Sequence, residues 1–371
     1  MSATRIARVE VYGYELTYVG AEYVMSGGRS IARLDSTVVR VVTEEGVDGY
    51  GETCPLGTTY LAAHAQGARA ALRELAPAVV GADVTATGVL GDRMDAVLAG
   101  HEYAKSAIDV ACWDAAGKAL GASVSALLGG VRQESFPLYV AVPLGPAGEM
   151  AAHAAALRAE GITRFQLKVG DDPREDAERV AAVLEVCGPD DVVIADANGR
   201  YTTQAGVVAV GLLAGRDRVY VEQPCPTLEA CRYVRRHTDL PFVLDECIQD
   251  VPSLVRAHGL EAMEAFNLKI SKVGGLTAAR RMRDLAEALG LGVTIEDTWG
   301  GDLVSAAVAH LAASTRAKHL FTVSFMNDWT NEHVAGHAPR SAGGRGSAPT
   351  GPGLGIEVDR AALGEPLFAC R

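Results

Sequence analysis

The chain has 371 residues, 49% of them hydrophobic, with a formal charge of −12 and a pI near 5.3. That length suits a barrel plus an additional module, and the apolar fraction can fill a large core. The acidic balance excludes a nucleic-acid partner, because neutralising phosphates takes a basic face.

Seven cysteines, at 54, 112, 187, 225, 231, 247 and 370, form no Cys-x-x-Cys pair. They read as reduced thiols of a cytoplasmic protein. The opening residues carry no secretory pattern. The longest stretches without formal charge, 53–68 and 201–215, are too short to span a bilayer. A soluble, cytoplasmic protein with no membrane partner is expected, with 201–215 as a buried helix.

Residues 4–19 alternate as a strand does, and 36–52 read as two antiparallel strands around the Glu45-Gly46 turn. Helical periodicity follows over 60–79, 85–99 and 103–120, the last placing Ile108, Ala111, Cys112 and Ala115 on one face. Strands followed by a run of helices predict an α+β module over 1–130. From Pro137 the pattern changes to strand–helix alternation, with strands expected at 136–142, 165–169, 192–196, 219–223, 241–245, 265–270, 292–296 and 319–323. Eight strands predict a (β/α) barrel over 131–339. No Gly-x-Gly-x-x-Gly follows the first of them, which removes the main support for a dinucleotide fold. Residues 341–355, rich in Gly and Pro, read as a flexible connection. Residues 356–371 are expected to pack back on the first module, so that 340–371 complete it.

Three barrel strands end in a carboxylate: Asp196 in VVIADAN, Glu222 in VYVEQP and Asp245 in PFVLDE. They follow one another at roughly 25 residues, about one strand–helix unit, so all three reach the same rim. Convergent carboxylates need a counter-charge, and an all-oxygen set without His or Cys selects Mg²⁺, with Mn²⁺ as a substitute. His310, in a helical run, reads as a packing residue. Lys168 and Lys269 end strands 2 and 6, four apart of eight, and would face each other across the mouth. Such a pair can take a proton from one face of a carbon and return one to the other, or act as base and acid in an elimination. The cation would stabilise the enediolate of a small carboxylate substrate. Asn198 and Glu246 stand beside the ligands and could orient them. Glu296 and Asp297 end strand 7, where an acid could receive a substrate ammonium. Asp297 is the first choice for that contact, with Trp299 packing on the cation.

These motifs resemble the enolase superfamily in its mandelate racemase/muconate-lactonising branch. The helix AKSAIDVACWDAAGKALGASVSALLGG (104–130) is similar to that branch's helix signature. The run IADANGRY to VEQP, with LDE and NLKISKVGGL, is similar to its metal and lysine motifs. The resemblance implies an α+β capping domain on a modified (β/α)7β barrel and a homo-oligomeric assembly. It places the metal on Asp196, Glu222 and Asp245, and the acid/base roles on Lys168 and Lys269. One departure is Gln166, where many members carry the first lysine of Lys-x-Lys. The chain is further similar to hydroxyproline-betaine 2-epimerases and cis-3-hydroxy-proline dehydratases in YVMSGGR (23–29), GETCPLGTTYLAAHAQGARAAL (51–72) and IEDTWGGD (295–302). In that family, cap loops close over the site; here they are 18–30 and 54–60, which makes Tyr60 a candidate substrate contact, with a packing aromatic as the alternative. Epimerisation at the α-carbon of a proline derivative is the leading expectation. Dehydration of a 3-hydroxyproline is the alternative. A sugar-acid elimination ranks lower, and a non-catalytic small-molecule binder is the reading from another class.

Overall fold

The computed structural model describes residues 4–371. Two sheets organise them. In the first, Ile6–Thr17 lies between Arg33–Thr43 and the late strand Phe368–Cys370, and Asp48–Thr53 completes the far edge, all antiparallel. The strand Phe368–Cys370 therefore pairs with the first module's Val9–Val11. Helices Ala65–Val79, Thr87–Val97 and Glu102–Leu120 cover one face of this sheet, burying Val9, Val39, Leu72 and Ile108 in one core. Glu102–Leu120 is apolar nearly all round because it is covered twice. Ile108 and Cys112 face the cap core, while Val110 and Trp113 join the barrel core. It packs directly on the backbone of Asp48–Thr53: a Cβ at Gly51 would stand 2.1 Å from the Ala107 carbonyl oxygen, so only glycine fits there.

The second sheet is the barrel. Its eight parallel strands are Val140–Val142, Arg164–Lys168, Val192–Asp196, Val219–Glu222, Phe242–Leu244, Ala265–Lys269, Gly292–Glu296 and Leu320–Val323, paired in chain order. A bridge from Leu138 to Val323, with the Tyr139 N–H donating to the Val323 carbonyl at 2.9 Å, closes the cylinder. One long helix lies between each successive pair of strands, which gives the (β/α)7β form.

Three expectations need correction. The strand expected over 136–142 is split: Phe136–Pro137 pairs with Arg345–Gly346 instead of the barrel, and Pro137 has no N–H to give a ladder. The segment expected to be a flexible connection is pinned: Gly353 exchanges backbone hydrogen bonds with Ala122 and Val124, and Leu354 N–H donates to Asp114 at 2.7 Å. Its glycines allow close approach, since a Cβ at Gly353 (φ +67) would stand 2.2 Å from Asp114 Oδ1. Helix Thr203–Leu212 is buried on one face only, leaving Val208 and Leu212 exposed. His310 is a satisfied core residue: Nδ1 accepts from Ser125 N–H at 3.1 Å and Nε2 donates to Leu354 O at 3.0 Å. Among the described residues no helix is long and apolar enough to cross a membrane, and all seven cysteines are free.

Candidate active site

Strand register brings the predicted residues to one level. Lys168 pairs with Asp196, Asp196 with Glu222, and Lys269 with Glu296, all at the carboxyl ends of their strands. Asp196, Glu222 and Asp245 are buried to 1% exposure or less. Lys168 Nζ donates to Asp196 Oδ2 at 2.5 Å, and Lys269 Nζ to Asp245 Oδ2 at 2.5 Å. Both lysines line one small pocket with Asp196, Tyr60, Glu296 and Trp299.

The charges shape one another strongly. Burial works against both ammoniums, yet the facing carboxylates win. Asp196, Tyr23 and Glu222 raise Lys168 above its ordinary value, and Asp245, Glu296 and Glu246 raise Lys269. Burial would raise Asp245 too, but the Lys269 and Lys272 ammoniums outweigh it and hold this carboxyl well below the usual range. Burial, with Asp196 and Asp245 nearby, pushes Glu222 well up. The same causes, burial first, bring Glu246 up to about 7.

Glu222 is the informative member. Its donors are neutral amides: Gln166 Nε2 reaches both oxygens at 3.0 Å and Asn267 Nδ2 reaches Oε1 at 2.7 Å. A fully buried carboxylate beside two others, with no cation bonded to it, fits a hard dication. Buried oxygens without a protein partner, Asn198 Oδ1 and Glu246 Oε2, stand in the same cluster. Asn198 Nδ2 bridges Asp196 Oδ2 (3.0 Å) and Glu246 Oε1 (3.1 Å). The acids are not already gathered into a cage: among the described residues no three Asp, Glu, His or Cys side chains are so arranged. Asp196 and Asp245 are instead drawn onto the lysines.

The other predicted contacts separate. Tyr60 donates to Asp245 Oδ2 at 2.7 Å and is itself bonded by Lys269, so the 54–60 loop does reach the rim. Asp297 lines the pocket, but both its oxygens are engaged, by Ser271 N–H (2.9 Å), the Ser271 hydroxyl and Thr298 N–H (2.7 Å). Burial brings it up to about 6. Glu296, ranked second in the sequence, has the open oxygen: Tyr139 bonds Oε2, while Oε1 has no hydrogen-bond donor and lies 3.4 Å from the Lys269 ammonium. Trp299 is buried and packs edge-on against Tyr23 (5.2 Å between ring centroids) and Trp329 (5.6 Å). The result is an aromatic wall contributed by cap and barrel together.

Residues 24–129 match the mandelate racemase/muconate lactonizing enzyme N-terminal domain family, and residues 149–362 match the enolase C-terminal domain-like family. The chain belongs to the mandelate racemase/muconate lactonizing enzyme branch of the enolase superfamily. It is 45% identical to the cis-3-hydroxy-L-proline dehydratase of Roseibium aggregatum, over 98% of this chain and 99% of that one. It is 28% identical to the N-succinyl-L-Arg/Lys racemase of Bacillus cereus, over 97% of each. A mandelate racemase/muconate lactonizing enzyme from Roseovarius nubinhibens, crystallised with magnesium, superposes with a TM-score of 0.95 at 36% identity, covering 99% of this chain and 100% of that one. Like these relatives, this superfamily member is an enzyme.

Sequence reasoning did not single out Lys272, Tyr23, Tyr139, Trp329 or Asn267. Lys272 Nζ donates to Asp245 Oδ1 and to the Asp245 carbonyl, both at 2.8 Å. It stands one helical turn beyond Lys269, and that spacing was available as a signal. Tyr23 and Tyr139 reach the pocket from a cap loop and from ahead of the first barrel strand, positions that no local pattern links to the rim.

Proposed function

We propose that this enzyme dehydrates a 3-hydroxylated cyclic α-amino acid of the cis-3-hydroxy-L-proline class. The observation that carries this reading is the 45% identity, over essentially both full lengths, to a dehydratase of that substrate. It favours elimination over the 2-epimerisation that led from the sequence.

The placement of the lysines supports the same chemistry. In cis-3-hydroxy-L-proline the hydroxyl and the carboxylate share one ring face, so the α-hydrogen lies on the other. Loss of water is then an anti elimination, which needs a base on one face and an acid on the opposite one. Lys168, as the free amine, takes the α-proton. The released pair rests first on the substrate carboxylate, then forms the Cα–Cβ double bond as the Cβ–O bond breaks, and the Lys269 ammonium protonates the departing oxygen to water. The enamine product then tautomerises to the cyclic imine.

Asp196, Glu222 and Asp245 would hold Mg²⁺, with Asn198 and Glu246 beside them. When bound, the cation supplies positive charge to the substrate carboxylate and takes up the acids that otherwise keep the lysines protonated. Glu296 offers its open oxygen to the substrate ammonium, and the Trp299 wall faces the same cation.

The test is incubation with cis-3-hydroxy-L-proline and Mg²⁺ in D₂O, followed by NMR. Loss of the carbinol signal with growth of an imine is the expected result. α-Deuteration with inversion at the α-carbon and the hydroxyl retained would establish epimerisation instead, and an unchanged substrate would sink both.

A further inference from the structure

Three side chains on neighbouring barrel strands present a buried oxygen with no protein partner: Asn267 Oδ1, Thr294 Oγ1 and Thr322 Oγ1. All three residues are 2% exposed or less. Asn267 pairs in register with Thr294, and Thr294 with Thr322, so the three stand at one level. All three point inward. Asn267 and Thr294 are two residues before the rim groups Lys269 and Glu296 and share their face. A register irregularity after Val293 adds Thr322 to the inward side. Phe321 is inward as well, since a Cβ on Gly292 would meet both Ala265 and Phe321. Below this level the Tyr220 and Phe321 rings, 4.6 Å between centroids, close the barrel.

We propose that this layer is a built water site and that it positions Glu222 through Asn267. One water can donate to Asn267 Oδ1 and accept from both threonine hydroxyls, about three hydrogen bonds, which is the usual complement of a buried water. Its effect is to fix one orientation of the Asn267 amide. Nδ2 then faces Glu222 Oε1 at 2.7 Å; the flipped amide would set two acceptors against each other. Gln166 holds the same carboxylate from the second strand. Glu222 is thus oriented by two neutral amides, which leave its charge available to a cation, and one of those amides is held in turn by the hydrated layer. Asn267, Thr294 and Thr322 are positioning residues on this view and touch no substrate. The proposal rests on Glu222 being a metal ligand.

The test uses Mn²⁺ titrations followed by electron paramagnetic resonance on the full chain without substrate, so turnover does not enter. Wild type is compared with Glu222→Gln, Asn267→Leu and the near-isosteric pair Thr294→Val/Thr322→Val. Asn267→Leu is expected to weaken Mn²⁺ by about 10- to 100-fold, the effect usual for groups that orient metal ligands. The double valine variant, which keeps side-chain volume, is expected to weaken it by at least 3-fold. If the double variant binds within 2-fold of wild type while Glu222→Gln binds at least 10-fold more weakly, the water layer has no positioning role and the proposal is overturned. If Glu222→Gln binds as well as wild type, the ligand assignment itself falls and the proposal falls with it.

Discussion

Asp109, on the cap's longest helix, accepts from both the backbone N–H (3.0 Å) and the hydroxyl (2.5 Å) of Thr277, at the start of barrel helix Leu276–Leu289. The cap thus supplies the N-terminal cap of a barrel helix. Glu52 does the same for helix Asp302–Ala313, accepting from Gly301 N–H at 2.9 Å. Helix N-termini carry unpaired donors and a positive dipole end, so these carboxylates tie the two units through groups each would otherwise leave unsatisfied. Asp109→Ala is expected to lower stability by about 1–3 kcal/mol in urea unfolding. An unchanged midpoint would mean that the docking rests on apolar packing alone.

Each lysine has a separate signature. Lys168→Ala should abolish both dehydration and α-proton exchange, since the base is gone. Lys269→Ala should cut dehydration by about 10²–10⁴-fold yet retain α-deuterium exchange. Paired NMR assays of exchange and elimination read both. Equal loss of exchange in the two variants would contradict the assigned roles.

Metal removal gives a prediction independent of the substrate. Chelator-treated protein should gain thermal stability on adding Mg²⁺, by about 2.7 kcal/mol at 100 times the dissociation constant. Calorimetry at several Mg²⁺ concentrations measures it. A melting temperature that ignores Mg²⁺ would contradict the three-carboxylate site.

Glu296 and Asp297 should behave differently although they are adjacent. Glu296→Gln is expected to raise KM for an amino-acid substrate by about tenfold, the worth of one charge-assisted contact. Asp297→Asn disturbs the Ser271 and Thr298 bonds and should lower the melting temperature with less effect on KM. The reverse pattern would restore Asp297 as the substrate contact.

The buried His310 predicts a pH effect on stability. Burial pushes it down to about 4, below the usual 6.5. The unfolded chain therefore binds the proton more readily, and stability falls as pH drops from about 6.5 to 4. Complete traversal of that window is worth about 3 kcal/mol. His310→Gln should flatten this part of the pH profile in urea unfolding; an unaltered slope would remove His310 as its source.

The barrel and its rim were legible because most of the strands are short apolar runs closed by a polar residue, and strand order follows chain order. The proposed ligand trio and lysine pair needed only that rule. What it missed came from elsewhere. Asn267 lies two residues before Lys269 on the same face, where strand alternation could have flagged it. Which of Glu296 and Asp297 keeps an open oxygen depends on strand parity at a strand end, which the sequence alone does not fix. Residues 341–355 were misjudged because glycine and proline mark tight backbone approach as readily as freedom.

Two of the chain's three tryptophans, Trp299 and Trp329, stand in the aromatic wall beside Tyr23, while Trp113 is fixed at the cap–barrel junction by its bond to Thr277. Indole emission from the unlabelled protein is consequently expected to report on ligand arrival, with Trp113 as a constant background. Association kinetics can then be followed by stopped-flow fluorescence without a product assay.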